Sequence, residues 1–252
     1  MTSIEAQAFY VERLHSKGFD ICHPGSLKWY NEGVPDDLGV RIPEKGSAGS
    51  NAFILLIGNS RHLWKVFLGW LKENRNGVAG SNPLDTYVKE SIEEIIQAAK
   101  PRFDARFYTS HETADDLVGG GRYVAMQRFS ALTGLAFNDI SSHLAIHPKF
   151  GPWFALRGVI IFDDICCPVE NPILARDPLT EDQRNRAKAA MSQALDSNKN
   201  LSYEGVGKKW HCWVAVRDAL YGQTHPFRYS DDQIEYHYTS NEAHLKKCIE
   251  MV

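Results

Sequence analysis

The chain has 252 residues, 43% of them hydrophobic and 23% charged, with a formal net charge of −3. That composition fits a globular protein able to bury a sizeable core and still hold a ligand cavity. It excludes a general nucleic-acid binder, since no basic run faces a phosphate backbone, and a helical membrane protein, since no segment nears roughly 18 consecutive apolar residues.

In chain order, Thr2 and Glu5 form a capping-box pattern ahead of a predicted helix over residues 3–17. Ile4, Ala8, Val11 and Leu14 share one face of it, and Gly18 stops it. Residues 19–22 read as a short strand, 35–50 as a loop rich in Gly, Pro and Asp, and 53–57 as a strand buried on both faces. A helix follows Ser60, with Leu63, Phe67, Trp70 and Leu71 on one side. The next starts at Asn82 as cap, with Pro83 in its first turn and Asp85 at its positive end. Residues 103–109 read as a strand. Gly119, Gly120 and Gly121 break the chain before a helix over 122–137. The stretch WFALRGVIIF at 153–162 is the strongest strand signal, and prolines 168, 172 and 178 mark a long irregular connection. After Pro178 the pattern is helical: Thr180 with Gln183 and Ser230 with Gln233 resemble capping boxes, and a helix over 213–221 ends at Gly222. The order predicts one α+β domain over 1–252, with 178–252 as a mostly helical C-terminal cap.

Five cysteines (Cys22, Cys166, Cys167, Cys212, Cys248) stand at irregular spacings, without a C-x-x-C or a disulfide framework. The stretch from Met1 to Tyr10 lacks the basic-then-apolar pattern of a secretory signal. Both point to a reducing, cytoplasmic setting. The pairs Cys22-His23 and His211-Cys212 are adjacent, which is a poor ligand spacing, so no metal site is expected. Cys166-Cys167 reads as two core thiols or as a redox pair. The common hydrolase motifs are missing, and the triple glycine lacks the rest of a phosphate loop.

Two arginines carry the chemical interest. Arg157 lies inside an otherwise apolar strand, and Arg217 follows an aromatic and β-branched run. A buried guanidinium requires an anionic or multi-acceptor partner. For Arg157 that partner is either a structural carboxylate such as Asp163 or Asp218, or a ligand in a cavity. For Arg217 it is either a nearby acid such as Asp218, or the same ligand. Two such groups together suit a small molecule with two carboxylates, since each guanidinium can grip one in a bidentate fork.

At these residues the chain resembles the cobalamin-processing CblC (MMACHC) family. The most specific likeness is IHPKFGPWFALRGVIIF at 146–162. LKWYNEGVP at 27–35, AFILL at 52–56, NPLDTYV at 82–88, WVAVRDAL around Arg217 and RYSDDQ at 228–233 follow in the same order. The resemblance implies a flavin-nitroreductase-like mixed sheet flanked by helices, with a large cavity for base-off cobalamin. It implies glutathione-dependent dealkylation of alkylcobalamins, reductive decyanation of cyanocobalamin and, in some members, cobalamin-dependent thiol oxidation. Arg157 and Arg217 match the family's catalytic, glutathione-binding positions, with His244 in place of a third arginine. Gln127, Phe137, Ser142, Ile146, Trp153 and Leu156 match the cobalamin site, with Phe154 as further wall. Ala131 stands where the family often has a histidine, and Val216 where it has a tyrosine. The resemblance leaves open FAD or FMN as reductant, a downstream cobalamin-trafficking protein as partner, and a monomer or a ligand-dependent homodimer. It also leaves open a non-catalytic cobalamin chaperone and a flavin-dependent reductase.

Overall fold

The computed structural model describes residues 2–35, 40–74, 82–120, 123–197 and 203–251. Gly121 of the predicted glycine break, Arg122 at the start of the predicted helix, and residues 36–39 of the predicted loop lie outside them.

Helix α1, Ser3–Ser16, opens with the expected capping box: Glu5 N donates to Thr2 Oγ1 and Thr2 N to the Glu5 carboxylate. Its buried face is Ser3, Ala6, Tyr10 and Leu14, whereas Ile4 is 74% exposed and Ala8 is exposed. The helix is turned from the expected orientation because Tyr10 carries the larger apolar surface. Its ring meets Phe162 edge-on at 5.1 Å.

Strand β1, Ile21–Ser26, starts and ends later than predicted and runs through Pro24. Proline fits there because β1 lies at the sheet edge. Ser26 then caps α2, Leu27–Gly33. Strand β2, Ala52–Asn59, is buried along its whole length. Phe53, Leu55 and Ile57 enter one core with residues of α1, α3 (His62–Glu73) and α4 (Pro83–Ala99). Ile54 and Leu56 enter a second core on the opposite face with Leu27, Tyr30 and Phe129. A strand with no exposed side must be apolar at every position, which is why the 53–57 run shows no alternation.

Strand β3 is Arg106–Thr109, and β6 is Ala155–Cys166. The main sheet has the order β1-β2-β6-β3, and all three pairings are antiparallel. This corrects the expected mixed sheet for the described residues. The helix expected over 122–137 is only Met126–Leu132, α5. Thr133 N closes it onto the Phe129 and Ala131 carbonyls, and Ala136 N then reaches back to Ser130 O. Phe137 therefore opens β4, Phe137–Asp139, which pairs with β5, Leu144–Ile146.

The C-terminal part is helical as expected. It comprises α6 (Glu181–Ser197), α7 (Tyr203–Lys208), α8 (Trp210–Tyr221), α9 (Asp231–Thr239) and α10 (Glu242–Glu250). Thr180 and Gln183 form the reciprocal box, and Ser230 Oγ accepts from Gln233 N. Gln183 and Arg186 of α6 donate to the carbonyls of Leu220 and Ala219 in α8. Tyr236, Leu245 and Cys248 of α9 and α10 complete the core beneath α3.

Gly158 shows how tightly β6 and β3 fit. A Cβ there would stand 2.5 Å from the Tyr108 carbonyl oxygen and 2.5 Å from the Phe107 ring. Gly158→Ala is expected to push β3 off β6 and destabilise the fold by about 1–3 kcal/mol, the usual range for overpacking. The midpoint of urea unfolding, at unchanged slope, measures it.

Candidate active site

The site is built from the turn that precedes β6. His147 and Gly151 exchange two backbone hydrogen bonds of 2.9 Å, with Gly151 in left-handed backbone at φ 57. The His147 ring lies inside the turn. Its Nδ1 accepts from Lys149 N at 3.0 Å and Phe150 N at 3.2 Å. Burial, then the His23 and Lys149 charges, pushes the ring down to about 4. It is therefore neutral at physiological pH, as an acceptor nitrogen must be.

The turn directs the Pro152 carbonyl at α8, where it accepts from Arg217 Nη1. Arg217 Nε donates to Tyr238 Oη at 3.0 Å, and its guanidinium stands over the Trp153 ring at 5.7 Å. Burial works to lower its pKa, but the Tyr238 oxygen, then Tyr229 and Asp218, outweigh burial and raise it. Five residues beyond Pro152, β6 delivers Arg157, whose Nε donates to Asn59 Oδ1 at 2.6 Å. Burial lowers its pKa, against attractions from Tyr229 and Asp85.

Neither structural acid proposed for Arg157 holds it. Asp163 makes two 2.6 Å bonds to Arg106, and Asp218 binds Arg228 at 3.0 and 3.2 Å. Instead Tyr229 and His237 lie in the field of both arginines. Burial pushes Tyr229 up to about 12, opposed by Arg157 and Arg217. Burial drives His237 down to about 3, helped by Arg217 and then Arg157. Among the described residues, the Tyr229 hydroxyl is buried without a hydrogen-bond partner.

Among the described residues the two arginines line different cavities. Arg157 faces a void of about 10 Å³, beside Tyr229, Gln233 and His237. Arg217 lines two larger, solvent-open cavities of about 260 Å³ each, which share Arg217, His143 and Leu144. Gln127, Phe154 and Leu156 line one of these, and Ser142 lines the other with Trp213, Val216 and Tyr238. The Gln127 amide donates to the His143 carbonyl at 2.9 Å, and the Ser142 hydroxyl to Asp139 at 2.7 Å.

Other predicted positions lie elsewhere. Ile146 is fully buried in a small core with Leu179, Ala187 and Leu220. Trp153 is buried with Val214, Tyr229 and Ile234, so it supports the site from below. Ala131 and Phe137 line neither large cavity. His244 on α10 also lies off them, within ion-pair distance of Asp232 and Glu235. Sequence reasoning missed Asn59, His143, Tyr229, His237 and Tyr238. Only His143 carries a backbone mark of its own, a φ of 53, which few residues other than glycine adopt.

Residues 18–247 match the Methylmalonic aciduria and homocystinuria type C family. The chain belongs to that family. It is 26% identical over 230 residues to the human cyanocobalamin reductase / alkylcobalamin dealkylase, covering 87% of this chain and 72% of that relative. The crystal structure of the B12-trafficking protein CblC from C. elegans, a human MMACHC homologue, superposes with a TM-score of 0.72 at 17% identity. It covers 98% of this chain and 96% of that one, a likeness of fold. The 146–162 segment of this family member now has a structural reason. It forms the turn, the carbonyl that holds Arg217, and the strand that holds Arg157.

The His147 ring makes the turn pH-sensitive. Its folded value, about 4, lies below the ordinary 6.5, so folding favours the neutral ring. This contribution is complete above 6.5 and is lost as pH falls toward 4, because the unfolded chain takes up the proton first. Wild-type urea midpoints are expected to drop across that window. In His147→Asn, whose amide oxygen can accept the same N–H groups without titrating, the drop is expected to be smaller.

Proposed function

We propose that this chain binds cobalamin base-off and removes its upper axial ligand with glutathione as the thiol. The observation that carries the reading is Arg217, a half-buried cation at the junction of two open cavities, in a member of this family. Two of its five N–H groups hold Pro152 and Tyr238, so its position is fixed while further donors are left for a carboxylate. Phe154 and Leu156 give one cavity an apolar wall, and Gln127 gives it an amide, the mixture a corrin ring with a rim of amides requires.

Each residue has a part in the reaction. Arg217 takes a glutathione carboxylate and sets the direction from which the thiol approaches. Arg157 adds positive potential through the shared neighbourhood of Tyr229 and His237. Two cations favour the thiolate of a thiol whose unperturbed pKa is about 8.5. The thiolate attacks the cobalt-bound carbon, the carbon–cobalt electron pair stays on the metal, and the products are a thioether and cob(I)alamin. The largest contribution is the holding of sulfur and carbon in line. Decyanation needs electrons from a donor instead, for which FAD or FMN is the candidate.

The test is an anaerobic mixture of the protein, methylcobalamin and glutathione, followed in the visible spectrum. The wild type is expected to form cob(I)alamin. Arg217→Gln is expected to slow this at least about tenfold, through the loss of a charge-assisted bond to glutathione of about 1.5–3 kcal/mol together with weaker contacts to Pro152 and Tyr238. A wild type that shifts cobalamin base-off without turnover is a chaperone instead, and one that leaves the spectrum unchanged overturns the reading.

A further inference from the structure

Away from the arginines, the corner between α9 and α10 collects three groups that bind metals. His244 and Cys248 are four residues apart on α10 and so share a face. Cys248 Sγ lies 3.5 Å from His244 Nε2, and Asp232 Oδ1 of α9 lies 3.7 Å from the same nitrogen. The three ligand atoms all fall within 4.8 Å of one another. Zinc held tetrahedrally at about 2.3 Å from sulfur and about 2.0 Å from nitrogen sets those two ligands about 3.5 Å apart. The thiol–imidazole pair already has that spacing, and Asp232 needs only a small swing, which its half-exposed side chain permits.

We propose that Asp232, His244 and Cys248 form a site for a zinc-class divalent cation. A fourth residue supports this. Glu235 Oε1 lies 3.5 Å from His244 Nδ1, the ring nitrogen turned away from the thiol. A carboxylate on the far nitrogen of a ligating histidine is the usual outer partner in zinc sites. His244 Nε2 lies 3.0 Å from the Asp232 carbonyl, the arrangement of a proton donor. Binding moves that proton to Nδ1, facing Glu235, and frees the Nε2 lone pair for the cation. The Cys248 proton leaves to solvent. Thiolate and carboxylate then neutralise the two positive charges, with water in the fourth position. Zinc is favoured over magnesium or calcium because the set is sulfur, nitrogen and one oxygen. Burial and the neighbouring Asp232 and Glu235 hold the thiol in its protonated form, and a dication on the same groups reverses that balance. The cation would clamp α10 to α9 and so to the core beneath α3, without touching the proposed cobalamin cavities.

The experiment titrates the full-length protein, first stripped with a chelator, with Co²⁺ and with Zn²⁺. One equivalent of Co²⁺ is expected to give a sulfur-to-cobalt charge-transfer band with tetrahedral ligand-field bands. The band is expected to vanish in Cys248→Ser and to persist in the double variant Cys166→Ser, Cys167→Ser. Zn²⁺ is expected to raise the melting temperature of the wild type and not of His244→Gln. Should Cys248→Ser fail to fold, the half-exposed Asp232→Asn decides, with zinc affinity expected to fall at least about tenfold. A wild type without the thiolate band, a band that survives Cys248→Ser, or an Asp232→Asn affinity equal to wild type overturns the proposal.

Discussion

The hydrogen bond from Arg217 to the Pro152 carbonyl joins the helical C-terminal part to the sheet, and the candidate site depends on it. One end rests on a turn locked by His147, the other on α8. Charge-assisted bonds of this kind are roughly twice as strong as neutral ones. Their cost appears when a partner is lost, since a guanidinium enclosed without acceptors is strongly unfavourable. The bond therefore fixes together where β6 enters the sheet and where Arg217 meets the two cavities.

The second constraint is charge. Asp163 and Asp218, the acids nearest the two arginines in sequence, are spent on Arg106 and Arg228. Among the described residues neither Arg157 nor Arg217 has an acid in ion-pair contact, and each binds a neutral oxygen instead. Such acceptors hold a guanidinium in place without cancelling its charge. His237, lowered by burial and then by Arg217 and Arg157, and the buried Tyr229 hydroxyl both lie in the field that results. A region arranged in this way retains positive potential for an incoming anion.

Two guanidiniums in one field are not two guanidiniums in one pocket. The resemblance places Arg157 and Arg217 on the same ligand, yet among the described residues Arg157 faces a void of about 10 Å³ and Arg217 two separate cavities of about 260 Å³ each. The groups that feel both charges, Tyr229 and His237, come from the RYSDDQ segment and the helix that begins within it. That segment is part of the likeness to the family, although nothing in its letters says that it lies near both arginines.

Local chemistry made much of the fold legible. The Thr2–Glu5 box, the Asn82 cap with Pro83, the Thr180–Gln183 box and the apolar run of β2 each depend on residues within a few positions of one another, so the letters alone predicted them. The 146–162 segment likewise marked Arg157 as unusual, because an arginine in an apolar strand is anomalous wherever that strand packs. The rotation of α1 onto Tyr10, the early end of α5, the antiparallel pairing of the sheet and the burial of Ile146 and Trp153 beneath the site were decided only by packing. So were the link from Arg217 to Pro152, 65 residues away, and the meeting of Asp232 with His244 and Cys248. Caps and periodicity are energies of neighbouring residues, which a sequence displays directly. Partners distant along the chain are chosen by which surfaces bury the most apolar area together, and that choice exists only once the chain has folded.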